Sequence, residues 1–155
     1  MGRLFGTDGA RGIANRDITC ELALGVGRAV ATLLSKGSCY RPRVLIGGDT
    51  RKSTHMLISS LASGLCSAGA DVLMIGVAPT PAVAYLVKEY GYDAGIMISA
   101  SHNPCEYNGI KIFKSDGYKL PDKLEEQIEN FILDDIGVLP PKIGGEIGNI
   151  TISRD

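Results

Sequence analysis

Over residues 20–35 the apolar side chains Leu22, Val26, Ala29, Val30 and Leu33 recur at the spacing of one helix face. Thr19 stands where such a helix takes its cap and Gly37 where it stops. The rhythm then changes. RVLIGG at residues 43–48 is short, partly β-branched and closed by glycines, which predicts a buried strand. Leu57, Leu61, Leu65 and Ala68 restore the helical period over residues 54–68, ended by Gly69, and residues 71–76 form a second predicted strand. Pro79-Thr80-Pro81 supplies a turn, a cap and a first-turn proline for a helix running through Glu89. Residues 94–99 are almost continuously apolar and make a third strand; residues 110–113 make a fourth, followed by a hairpin turn at Ser115-Asp116-Gly117. Leu124, Ile128, Phe131 and Ile132 mark a last amphipathic helix over residues 121–134. Beyond Gly137 the chain is rich in glycine and proline, with a short apolar segment at residues 147–152.

Strands apolar on both faces and alternating with helices predict an α/β fold in three layers. The expected sheet is four-stranded, mixed and mostly parallel, with helices flanking it. Residues 1–140 read as one domain and residues 141–155 as its end and the start of an interdomain linker.

Composition changes this picture little. Hydrophobic residues make up 45% and charged residues 21% of the 155, and the net charge is −1. No basic block argues for nucleic acid or an anionic membrane surface as partner. No apolar run reaches a membrane span, and MGRLFGTDGARG lacks a secretory core, so a cytoplasmic protein is expected. Cys20, Cys39, Cys66 and Cys105 are scattered, which fits reduced thiols better than disulfides or a zinc site.

Candidate chemistry collects where open α/β sheets bind ligands, at the carboxyl ends of the strands. The richest is SASHNP at residues 99–104. On extended backbone Ser99 and Ser101 would face one side, Asn103-Pro104 would turn the chain, and Asn108-Gly109 would make a second turn that presents Lys111. Two readings fit: a polar loop capping its own turn, or a serine carrying a phosphate beside a cation. A serine hydrolase is excluded, because adjacent Ser101 and His102 point apart and no G-x-S-x-G elbow exists. GVGRAV at residues 25–30 lies inside a helix, so its likeness to a dinucleotide fingerprint is accidental, and no P-loop is present. In GTDGARG the glycines allow close approach to an anion and Arg11 offers a planar fork for phosphate, although a flexible surface loop would look the same. Asp49 and Arg51 in GGDTRKS are expected to pair locally and brace the loop before the next helix.

Four segments, FGTDGARG at 5–12, GGDTRKS at 47–53, ISASHNP at 98–104 and NGIKIF at 108–113, resemble in order and spacing the first domain of the α-D-phosphohexomutases. The FGTDG-x-RG form resembles the phosphoglucosamine mutase branch. Ala10 and Cys105 depart from the usual pattern, where a larger aliphatic residue and an aromatic or polar one are expected. The resemblance implies that Ser101 is the phosphorylated catalytic residue, donating to a hexosamine phosphate and forming a bisphosphate intermediate. It further implies that Lys111 and Arg11 lie at the transferring phosphoryl group, with Lys111 the better candidate for handling the proton. His102 and Asn103 would shape the serine loop, and Thr7 would join Arg11, Asn103 and Lys111 in binding phosphate. Mg²⁺ would be held through the phosphate on Ser101 and by aspartates of a D-G-D-x-D-R loop that this sequence does not contain. The family's second to fourth domains are likewise absent, so these 155 residues alone are expected to show no turnover. A homodimer of the full-length protein is compatible with the resemblance, and neither nucleic acid nor membrane is implied. Alternatives are a phosphomannomutase or phosphoglucomutase domain, or a non-catalytic anion-binding α/β module.

Overall fold

A computed structural model describes residues 2–35, 40–137 and 139–153. Gly37 and Cys39, assigned above as a helix stop and a free thiol, lie outside the described residues. In chain order the elements are β1 (Ala10–Ile13), α1 (Cys20–Ser35), β2 (Arg43–Gly48), α2 (Thr54–Ser67), β3 (Asp71–Val77), α3 (Thr80–Glu89), β4 (Ala94–Ile98), β5 (Tyr107–Lys114), α4 (Asp122–Asp134) and β6 (Ile150–Ile152). The sheet order is β1-β5-β4-β2-β3-β6. β2 pairs in parallel with β3 and β4, and β3 with β6, while β5 runs antiparallel to β4 and β1.

The strand pleat divides the core. Val44, Ile46, Ile96, Ile98, Ile110 and Ile112 point to the face covered by α1, α2 and α4. Leu45 and Met97 point the other way and pack with Val83 and Val87 of α3. Runs such as VLI and GIMI must therefore be apolar at every position, since both faces are covered. The three layers and the mixed, mostly parallel sheet agree with the sequence pattern.

Thr19 caps α1 as expected, its Oγ1 accepting the Leu22 N–H at 3.0 Å. α1 and α2 cross in close contact because Gly27 and Gly64 leave room. A Cβ on Gly27 would strike the Leu61 carbonyl, and one on Gly64 the Leu24 carbonyl. Gly27, the second glycine of GVGRAV, thus serves helix packing. The hairpin after β5 forms with Gly117 at φ +85° and the Lys114 N–H bonded to Tyr118 O at 2.9 Å.

Two expectations about the sheet need correction. The sheet has six strands rather than four. β1 is the four residues ARGI, whose glycine and arginine weaken any strand signal; it exists because β5, about a hundred residues away, pairs with it. β6 is an exposed edge strand of three residues, too short to leave a period. Asn108-Gly109, expected as a turn, lies inside β5, paired with Gly12 and Arg11. Turn chemistry lost there to tertiary contact: Asn108 is fully buried and bonds Ser53 and Thr54, and Gly109 admits neighbouring backbone.

Candidate functional site

The ends of β2 and β4 and the beginnings of α2 and β5 meet at one edge of the sheet, and the serine loop joins β4 to β5 there. Alternation along β5 sets who faces whom. Asn108 points toward α2, where its Nδ2 donates to Ser53 Oγ at 2.8 Å and Thr54 Oγ1 at 3.1 Å. Gly109 and Lys111 point to the opposite face, and Arg11, paired with Gly109 across the ladder, shares it. A side chain on Gly109 would press on the Ala10 carbonyl at 2.8 Å, the Ser99 carbonyl at 2.9 Å and Arg11 Cγ at 3.0 Å. Its absence lets Arg11 lie across the strand toward the loop.

Both cations end on one hydroxyl. Arg11 Nη2 donates to Ser101 Oγ at 3.2 Å and Lys111 Nζ at 3.4 Å. Ser101 is exposed at the strand end, and its φ of +55° is in the left-handed region that non-glycine residues seldom occupy. Backbone strain of this kind costs on the order of 1–3 kcal/mol and persists only where surroundings enforce it. The expectation that Ser99 and Ser101 share a side is therefore corrected. β4 stops at Ile98 and the chain turns, leaving Ser99 buried with its Oγ accepting the Ser101 N–H at 3.1 Å. Ser99 supports; Ser101 is presented.

Asp49 and Arg51 pair as expected, at 2.9 Å between Oδ2 and Nε. The arginine reaches much farther than a local brace. Its Nη1 donates to the carbonyls of Pro104 and Tyr107 at 2.6 and 3.1 Å, and its Nη2 to those of Ser101 and Asn103 at 3.0 and 2.8 Å. Sequence reasoning missed this role. The available signal was that GGDTRKS and SASHNP terminate strands that prove to be neighbours.

Burial opposes charge on Asp49, but the Arg51 N–H, the hydroxyls of Thr54 and Ser99 and the Arg51 guanidinium outweigh it and hold the carboxyl below its ordinary value of 3.8. A depressed carboxylate contributes stability above its unfolded pKa and loses it as pH falls through the folded one. Stability of the wild type should therefore decline below about pH 4 by more than that of Asp49→Asn. Urea unfolding of both at pH 7 and in steps below pH 4 checks this, and parallel curves would contradict it.

The other candidates lie farther from the hydroxyl. Asn103 is part of the loop turn, its N–H bonded to Ala100 O at 3.1 Å. His102 is exposed, and none of the described hydrogen bonds engages its ring. Thr7 is exposed and lines a cavity of about 720 Å³ between the N-terminal segment and α4, with Lys119, Glu125 and Glu129 on its far wall. Glu129 accepts the N–H groups of Leu4 and Phe5, tying that segment down. Cys105 is exposed beside Glu106, its Sγ 3.6 Å from Oε2. Among the described residues no three His, Cys, Asp or Glu side chains gather to hold a metal. No described helix is long and apolar enough to cross a membrane.

The chain is a three-layer α/β domain that presents one exposed serine hydroxyl to two cations at its strand ends, an arrangement whose chemistry suits a phosphoryl group. Comparison with known proteins gives the family. The family model for phosphoglucomutase/phosphomannomutase, alpha/beta/alpha domain I, matches residues 2–136, and the chain belongs to that family. It is 58% identical over 148 residues to a phosphoglucosamine mutase of Thermoanaerobacter sp. (strain X514), covering 96% of this chain and 33% of that protein. It is 50% identical over 155 residues to a phosphoglucosamine mutase of Clostridium tetani, covering 100% of this chain and 34% of the relative. The crystal structure of a phosphoglucomutase/phosphomannomutase family protein from Burkholderia thailandensis superposes with a TM-score of 0.77 at 25% identity, over 96% of this chain and 32% of that one. The chain thus spans about a third of the relatives it matches.

Proposed function

We propose that this chain is the phosphoserine-bearing domain of a phosphoglucosamine mutase, which interconverts glucosamine 6-phosphate and glucosamine 1-phosphate. The observation that carries the reading is the convergence of Arg11 and Lys111 on the Ser101 hydroxyl. Names of relatives at 50% and 58% identity support the glucosamine branch over phosphomannomutase or phosphoglucomutase. Residues 1–140 form the domain proper, and residues 141–155 its end and the start of a connection, with β6 adding the last strand to the sheet.

In this reading Ser101 carries a phosphoryl group at rest. A hydroxyl of the sugar phosphate attacks the phosphorus in line, the bond from phosphorus to Ser101 Oγ breaks, and a bisphosphate forms. The proton lost by the attacking hydroxyl ends on Ser101 Oγ, and Lys111, 3.4 Å away, is placed to deliver it. The intermediate turns over, the serine takes back the other phosphate, and atoms balance. Arg11 offsets charge on the phosphoryl oxygens through its terminal nitrogens, of which Nη2 already reaches Ser101 Oγ. Positioned cations are what phosphoryl transfer asks of a protein.

Mg²⁺ would bind through the phosphate on Ser101. Among the described residues no set of carboxylates surrounds that oxygen, and a hard dication takes several oxygen donors, so further protein ligands would come from outside them. The 155 residues alone are accordingly expected to lack turnover. The test is to assay the full-length protein with the 6-phosphates of glucosamine, glucose and mannose. Preference for the amino sugar is expected; a strong preference for a neutral sugar would overturn the glucosamine assignment.

A further inference from the structure

We infer that Arg51 is a positioning residue that holds the serine loop in the one conformation able to present Ser101 between its two cations. The inference deepens the reading just proposed and rests on it. A guanidinium has five N–H donors in a rigid plane. In Arg51 all five are matched: Nε to Asp49 Oδ2, and the two terminal nitrogens to the carbonyls of Ser101, Asn103, Pro104 and Tyr107. No donor remains for a substrate phosphate. That separates Arg51 from Arg11, whose Nη2 donates to the exposed Ser101 hydroxyl itself.

Three of the four carbonyls belong to the loop between β4 and β5, in which Ser101 has the strained φ of +55°, and the fourth is that of Tyr107, the first residue of β5. In that conformation the Ser101 carbonyl accepts from Arg51 while its hydroxyl accepts from Arg11 and Lys111. The clamp is itself fixed from behind. Asp49 accepts from the Arg51 backbone N–H at 3.0 Å and from Thr54 Oγ1 at 2.7 Å, and its own N–H is bonded to the Ile98 carbonyl at the end of β4. Arg51 is thereby anchored to the same strand from which the serine loop departs. Lysine cannot replace it, because an ammonium has three donors on a flexible stem and no planar fork.

The experiment compares wild-type, Arg51→Lys and Arg51→Ala forms of the full-length protein by steady-state kinetics and by hydrogen exchange. Arg51→Lys is expected to lower kcat about 10- to 100-fold, since misplacement near 1 Å costs up to about that much, with KM for the sugar phosphate nearly unchanged. Amides of residues 101–107 should exchange at least about ten-fold faster, while those of α1 and α2 stay as in wild type. Added guanidinium ion should restore part of kcat in Arg51→Ala. Unchanged kcat and exchange would overturn the inference, as would a rise in KM alone, which would make Arg51 a substrate ligand. Equal acceleration of exchange in α1 and α2 would overturn it too, because Arg51 would then support the fold at large. Should the wild type prove inactive on every sugar phosphate, the proposed function fails, and loop exchange still decides whether Arg51 holds the loop.

Discussion

Replacing Ser101 with alanine in the full-length protein is expected to abolish the proposed interconversion of the two glucosamine phosphates, by at least about 10⁴-fold in kcat, as loss of a residue that bonds covalently to the transferred group does. Fold stability should barely change. Ser101 is exposed, its hydroxyl accepts only from two side chains that also reach solvent, and alanine removes no buried partner. The same variant decides the chemistry by intact mass. Wild-type protein incubated with a hexose bisphosphate should gain one phosphate, and Ser101→Ala should gain none. A variant that still turns over, or still acquires the phosphate, would mean that another residue carries it. A wild type that never acquires it would leave a non-catalytic anion-binding module as the better account.

The second large effect is electrostatic. Arg11→Ala and Lys111→Ala are each expected to reduce kcat about 10²- to 10³-fold, the range found when one preorganised donor to a developing charge is removed. The two should differ in kind. Arg11 lies across Gly109 with its fork near the hydroxyl, so Arg11→Lys keeps the charge but loses the planar geometry and should recover little. Lys111 approaches as a single point donor, so its variants should lose chemistry more than substrate affinity. Rapid-quench transfer from the phosphorylated protein to sugar phosphate measures the chemical step directly. Full transfer rates in either variant would remove that residue from the reaction.

Much of this was legible in the chain. Helix periods placed α1, α2 and α4, continuous apolar runs placed β2, β3 and β4, and the three layers followed because a strand without polar positions must be covered twice. Ser101, Arg11 and Lys111 could each be named as candidates from local motifs. What failed were features without local cause. β1 carries Arg11 yet reads as a loop, since ARGI pairs only once β5 is beside it. Asn108-Gly109 has the composition of a turn and forms strand, because a fully buried asparagine satisfied by Ser53 and Thr54 outweighs its turn preference. Arg51 looked like a local partner for Asp49 because a sequence displays the neighbour two residues away and hides carbonyls some fifty residues downstream.

By itself, then, the order of residues determined where α1 to α4 and β2 to β4 form, that the sheet is covered on both faces, and which side chains have chemistry suited to phosphate. Those properties depend on period and residue type, which are local. Only the tertiary structure decided that two cations from different strands meet at one hydroxyl, that Ser99 and Ser101 part company, and that one arginine closes on four carbonyls. Each depends on strand register and on a positive φ at Ser101, set by packing between segments far apart in the chain.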